Sequence, residues 1–180
     1  KDIMDINPHL YTGEMAAQNM VFESLVTINN DGEIEPCLAT SWEISEDGLE
    51  YTFKLREGVT FKDEEKFNAD AVKQNFDAVL SNFDRHAWLE LVNQIDKTEV
   101  VDEYTFKMTL KKAYYPSLTE LALTRPFRMI SPKCFIDGET KNGVNGYAGT
   151  GPYVLSEHKE NEYAIFDTNE DYWGEKPKVK

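Results

Sequence analysis

The chain has 180 residues, 41% of them hydrophobic and 12% aromatic, enough to bury a core within one domain and too apolar for a disordered segment. Nineteen Lys and Arg against 33 Asp and Glu leave a net charge of −14, which argues against nucleic acid or an anionic membrane surface as the main partner, because either needs a basic face. No apolar run approaches the length of a membrane span.

The opening KDIMDINPHLY is not a natural start, so a removed leader or an excised piece is expected. Asn7-Pro8 restricts the backbone to an extended or turn shape, and a loop continues through Tyr11 and Thr12-Gly13-Glu14. Met15, Val21, Phe22, Leu25 and Val26 fall mostly on one side of a helix predicted over 15–25. Asn29-Asn30-Asp31-Gly32 reads as a turn. From Leu38 the apolar period drops to two. Trp42 and Ile44, then Tyr51, Phe53 and Leu55, flank Glu46-Asp47-Gly48 and predict a surface hairpin. A short extended piece follows over 56–61. Asn68 stands at an N-cap position, Asp70 favours the positive helix end, and Val72, Phe76, Val79, Leu80 and Phe83 recur at helical spacing as a core stripe.

The stretch 84–91, DRHAWLEL, packs a cation, an imidazole, an indole and a carboxylate closely together. Read as a helix, it sets Arg85, Trp88 and Leu89 on one face and His86 above Glu90. An aromatic beside polar groups suits a small-ligand pocket; a buried Trp anchor with a local His/Glu contact is the plainer alternative. Residues 98–101 and 104–110 predict a second hairpin, with Tyr104, Phe106, Met108 and Leu110 alternating. Pro116 opens a short helix reaching Leu123. Arg125 then stands beside Pro126 and Phe127, where a cation is costly without a partner. It is either an anion clamp, since its planar fork matches a carboxylate, or half of an internal salt bridge. Gly149 and Gly151 could bring backbone N–H groups near a ligand, although no phosphate-binding pattern accompanies them. Residues 153–155 and 162–167 predict a third hairpin, NEDYWGEKP a turn, and 178–180 the start of another strand. With no regular βαβ alternation, the fold class is α+β.

The motifs of nucleophilic and metal-dependent catalysis are missing: there is no GxSxG, HExxH or CxxC. His9, His86 and His158 are scattered, and Cys37 and Cys134, bridged or free, form no ligand pattern. A metal, if bound, therefore arrives already chelated. Capturing such a chelate takes an aromatic wall, a sulfur or ring to pack on it, and an Arg for the chelator's carboxylates. Trp88, Met15, Tyr11 and Arg125 supply that set. A metal-dependent hydrolase is the reading of another class, and the missing ligand cluster argues against it.

NPHLYTGEM, LATSWEISEDGLEYTFKLREGVTF, RHAWLELVNQI, KKAYYPSLTELALTRPFR, GTGPYVL and NEDYWGEKP together resemble the extracytoplasmic solute-binding proteins of ABC transporters in the peptide/nickel family. The hairpin and DYWGEKP stretches are general to that family, oligopeptide and dipeptide binders included; RHAWLEL and RPFR resemble its nickel-binding members. The resemblance implies the first lobe of a type II (cluster C) bilobal fold, with residues 1–180 forming most of that lobe and the first strand and second lobe absent. It implies capture of a nickel chelate, formed by histidine or an opine-type metallophore, by a monomer that delivers it to a membrane permease. Such a protein is periplasmic or extracellular, with a lipid anchor as one arrangement, and has no intrinsic cofactor. It carries a carboxylate-clamping role to Arg125, a pocket-lining role to Trp88, and packing roles to Tyr11 and Met15, one residue closer together here than in the family pattern. A metal-ligating histidine of the relatives falls beyond residue 180, and the resemblance gives His86 no ligand role.

Overall fold

A computed structural model describes residues 2–179 and gathers the first two predicted hairpins into one sheet. A loop leads into helix α1 (Met15–Val21), and a small antiparallel pair follows, β1 (Val26–Ile28) with β2 (Ile34–Pro36), turning at 29–32 as expected. Strands β3 (Ala39–Ile44) and β4 (Glu50–Leu55) form the first hairpin. Helices α2 (Ala69–Ser81), α3 (Phe83–His86) and α4 (Glu90–Gln94) precede the second, β5 (Ile95–Asp102) with β6 (Thr105–Leu110). β4 pairs with β6, so the sheet order is β3-β4-β6-β5, antiparallel throughout. The expected surface hairpin thus contributes an inner strand, and Tyr51, Phe53 and Leu55 point into the core.

The helices that matter to the site are fixed by few contacts. The Asn68 side chain caps α2 by accepting from the Ala71 N–H at 3.0 Å. A run of rings then joins sheet to helix to loop: Phe53 lies 6.4 Å from Phe106, Phe106 4.8 Å from Phe76, and Phe76 5.2 Å from Phe127. All four are buried. Asn75, on the same helix, clamps the loop after Phe127 from both sides, donating to the Ile130 carbonyl and accepting from the Ile130 N–H, each at 2.9 Å. The segment carrying Arg125 is therefore tied to the centre of the core. It follows α5 (Ser117–Leu121), which begins after Pro116 as expected.

Two predicted helices come out differently. The first ends at Val21 rather than Leu25, because the chain beyond it is drawn into extended pairing: the Met129 N–H donates to the Glu23 carbonyl at 2.8 Å and the Ala39 N–H to Leu25 at 2.9 Å. DRHAWLEL is not one helix. α3 stops at His86, Leu89 is extended, and α4 restarts at Glu90 with the Glu120 carboxylate accepting from the Leu91 N–H at 2.9 Å. Arg85, Trp88 and Leu89 consequently share no face: Leu89 is buried while Trp88 is 64% exposed. Glu90 pairs with Asn93 and Gln94, not with His86.

The third hairpin, β7 (Tyr153–Lys159) with β8 (Tyr163–Thr168), packs Leu155 and Phe166 against a smaller apolar cluster around Ile6, Val21, Phe22 and Ile130. Gly149 and Gly151 serve this packing rather than a ligand. A Cβ on Gly149 would sit 2.1 Å from the Val21 carbonyl, and the Gly151 N–H donates to that same oxygen at 3.0 Å. The buried Glu23 carboxylate accepts from Thr150, Trp173 and Tyr172 at 2.9, 2.8 and 2.8 Å, which pins the DYW stretch to the body. Cys37 and Cys134 are both buried and free. Burial, with Glu23 adding to it, pushes the Cys37 thiol up to about 12, so it is unreactive. Lys178 and Val179 form no strand, and Lys180 lies outside the described residues. Among the described residues no helix is long and apolar enough to cross a membrane.

Candidate functional site

Three segments far apart in sequence meet at one cavity. The first is the loop 7–14. Gln18, fully buried on α1, donates from its side-chain amide to the Asn7 carbonyl at 2.9 Å and to Leu10 at 3.3 Å, folding the loop over the helix. Gly13 is required where the loop closes, because a Cβ there would lie 2.3 Å from the Asp5 carbonyl. The second segment is the broken stretch between α3 and α4, and the third is the chain after α5 with Leu123, Thr124 and Arg125. Where they converge, an open cavity of about 320 Å³ is lined by Tyr11, Met15, Trp88, Leu123, Thr124 and Arg125. All four sequence-predicted site residues are in that set.

The polar geometry is directional. Trp88 Nε1 donates to the Tyr11 hydroxyl at 2.9 Å, and the hydroxyl lies 2.7 Å from His86 Nδ1. The rings of Tyr11 and Trp88 meet edge to face, 5.8 Å apart, an arrangement favoured by their quadrupoles. Arg125 Nη1 donates to the Gly13 carbonyl at 2.9 Å and to Gln18 Oε1 at 3.1 Å. Neither partner is a carboxylate, and Arg125 forms no internal salt bridge among the described residues. Its Nε and Nη2 donors have no partner among the described residues, and neither is sealed from solvent. The arrangement offers an unfilled, charged fork beside an apolar wall.

Two guanidinium groups face Tyr11. Arg85 Cζ lies 5.0 Å and Arg125 Cζ 5.4 Å from its ring centroid, both within cation–π range. Arg85 is exposed and makes no ion pair among the described residues. Burial raises the Tyr11 pKa, opposed by the Trp88 hydrogen bond and the two arginines, and the phenol keeps its proton. Burial lowers His86 to about 4, helped by the neighbouring Arg85 charge, so the imidazole is neutral.

Sequence reasoning did not find Gln18, and it noticed His86 and Arg85 within DRHAWLEL without carrying either into the predicted site. Gln18 and His86 are wholly buried polar side chains, a feature that spacing does not reveal. Arg85 carried a usable signal, being a cation just before the aromatic that lines the wall. Among the described residues, no three His, Cys, Asp or Glu side chains are placed to hold a bare metal ion.

Residues 33–180 match the family described as bacterial extracellular solute-binding proteins, family 5 (middle). The chain belongs to this family. A nickel-binding periplasmic protein of Escherichia coli (strain K12) is 53% identical over 176 residues, 97% of this chain and 34% of the relative. The crystal structure of NikA from Brucella suis in complex with Fe(III)-EDTA superposes with a TM-score of 0.97 at 53% identity, over 98% of this chain and 36% of that one. NikZ from Campylobacter jejuni in complex with Ni(L-His) gives 0.82 at 31% identity, over 98% and 35%. The family 5 chain thus spans about a third of the length of the curated relatives it matches.

Proposed function

We propose that the chain is most of the first lobe of a two-lobe solute-binding protein that captures a nickel chelate, or that of another transition metal, outside the cytoplasmic membrane and hands it to an ABC permease. It acts by binding, without turnover. Arg125 takes a carboxylate of the chelator through its unfilled Nε and Nη2 donors, in the side-on bidentate geometry the guanidinium favours. Arg85 adds a second positive charge near Tyr11. Trp88, Tyr11 and Met15 pack on the apolar body of the chelator, for which L-histidine or an opine-type metallophore has the right chemistry. The nickel is cargo, coordinated by the chelator rather than by these side chains.

The observation that carries this reading is the convergence of Tyr11, Met15, Trp88 and Arg125, from three separate segments, on one apolar cavity holding a guanidinium with no carboxylate partner among the described residues. The nickel-binding relative and the two metal-chelate complexes among similar structures support it. The experiment is calorimetric titration of the full-length protein with nickel plus L-histidine, repeated on Arg125→Ala. Saturable heat in the parent, lost in the variant with the fold intact by circular dichroism, is expected. Heat with short peptides and none with nickel plus L-histidine would place the protein with the peptide-binding members instead.

A further inference from the structure

Trp88, Tyr11 and His86 form one hydrogen-bonded chain. An indole N–H can only donate, so Trp88 makes the Tyr11 oxygen an acceptor. The same hydroxyl bonds His86 Nδ1 at 2.7 Å, with the ring's tautomer deciding which of the two donates. The other ring nitrogen, Nε2, is buried with no hydrogen-bond partner among the described residues. A buried polar atom left unpaired is rare and calls for an explanation. His9 is the contrast within the same chain. Its two ring nitrogens are both satisfied, by Thr140 Oγ1 at 2.7 Å and the Arg128 carbonyl at 3.0 Å, as expected of a histidine that only builds the fold. His86 uses just the nitrogen that faces the cavity wall.

We propose that His86 is the positioning residue of the cavity: through its bond to the Tyr11 hydroxyl it fixes phenol and indole as one preformed wall. This rests on the reading of the cavity as a chelate site. Trp88 is 64% exposed, so packing does not hold its indole on all sides; the bond to Tyr11 and the edge contact do. Ordering both rings before the ligand arrives removes a cost otherwise met on binding. The wall so fixed presents ring surface, while the charged donors come from Arg125 and Arg85. A ligand is accepted for a carboxylate at the fork and an apolar body on the rings.

The test uses the full-length protein, nickel plus L-histidine as probe, and two readouts: affinity by calorimetry and the Trp88 indole N–H resonance, assigned with Trp88→Phe. His86→Phe keeps a ring but removes the hydrogen-bonding nitrogen, and is expected to weaken binding by about tenfold or more and to shift the Trp88 resonance. His86→Asn can place an amide oxygen or nitrogen where Nδ1 stood, and is expected to restore affinity to within about threefold of the parent together with the resonance. Tyr11→Phe should match His86→Phe, and the double variant should add nothing further, as for residues acting through one interaction. Parent affinity and an unmoved resonance in His86→Phe, additive losses in the double variant, or His86→Asn as weak as His86→Phe would each overturn the proposal. If His86→Phe does not fold, Tyr11→Phe decides: an unmoved Trp88 resonance with parent affinity refutes it. Arg125→Ala separates the two ideas. Loss of binding there with none in His86→Phe sinks the role of His86 alone; full affinity in Arg125→Ala sinks the chelate cavity and this inference with it.

Discussion

Arg125 shows what a single residue can disclose from sequence and what it cannot. Its chemistry was legible: a cation between apolar neighbours in a strongly acidic chain must be paired or be waiting for an anion. Which of the two holds was not legible, because the answer depends on Gln18 and Gly13, more than 100 positions away, taking only Nη1. That occupancy leads to a sharper expectation than removal of the charge. Lys at 125 keeps the charge but cannot present two parallel N–H donors, nor hold the Gly13 and Gln18 contacts in the same plane. Arg125→Lys in the full-length protein should therefore lose about tenfold or more in affinity for nickel plus L-histidine, read by the same titration. Parent affinity in the lysine variant would mean that a point charge suffices. His86 is the opposite case. Helical spacing paired it with Glu90, and only the break after α3 turns its ring inward to Tyr11.

At the scale of elements, local signals did well where local forces decide. The Asn68 cap, the core stripe of α2 at Val72, Phe76 and Val79, and the alternation of both hairpins in the main sheet were readable because each is written within a dozen residues; Phe83, expected on that stripe, starts α3 and is 45% exposed. They failed where distant backbone competes for the same groups, as where Glu23 and Leu25 leave the helical pattern to pair with Met129 and Ala39. Two substitutions on α2 separate stability from function. Asn68→Ala removes the cap and should cost about 1 kcal/mol in urea unfolding, with chelate affinity unchanged, since the cap touches nothing near the cavity. Asn75→Ala leaves the buried N–H and carbonyl of Ile130 unpaired and should cost roughly 1–3 kcal/mol. Because that amide anchors the loop carrying Arg125, affinity should fall as well. Equal affinity in both variants would show that the loop keeps its place without Asn75.

For the whole molecule, two buried histidines link the cavity loop to pH. His9 and His86 are both lowered to about 4, chiefly by burial, from an ordinary value of 6.5. The groups against them are Arg128 and Thr140 around His9, and Arg85 and Tyr11 around His86. Between pH 6.5 and about 4 the unfolded chain binds protons on these rings and the folded chain does not. Stability therefore falls with pH through that window, and this contribution levels off below it. The urea midpoint should drop over the same range, and His9→Gln should flatten part of the drop. A midpoint constant from pH 6.5 to 4 would show the histidines already charged in the fold. The cavity itself carries the last expectation. Ligand sites commonly bury about 70–90% of a small ligand's surface. Here Trp88 is 64% and Met15 48% exposed, so these three segments make one wall and leave the ligand's other side to solvent. The core, in contrast, is closed, with four interlocked phenylalanines and both apolar clusters buried within these residues. A chain of these 180 residues should thus unfold cooperatively on heating yet bind nickel plus L-histidine about 100-fold or more weaker than the full-length protein, a difference of roughly 2.7 kcal/mol. Affinity within tenfold of full length would mean that the second wall adds little, and that Arg125, Trp88 and Tyr11 hold the chelate by themselves.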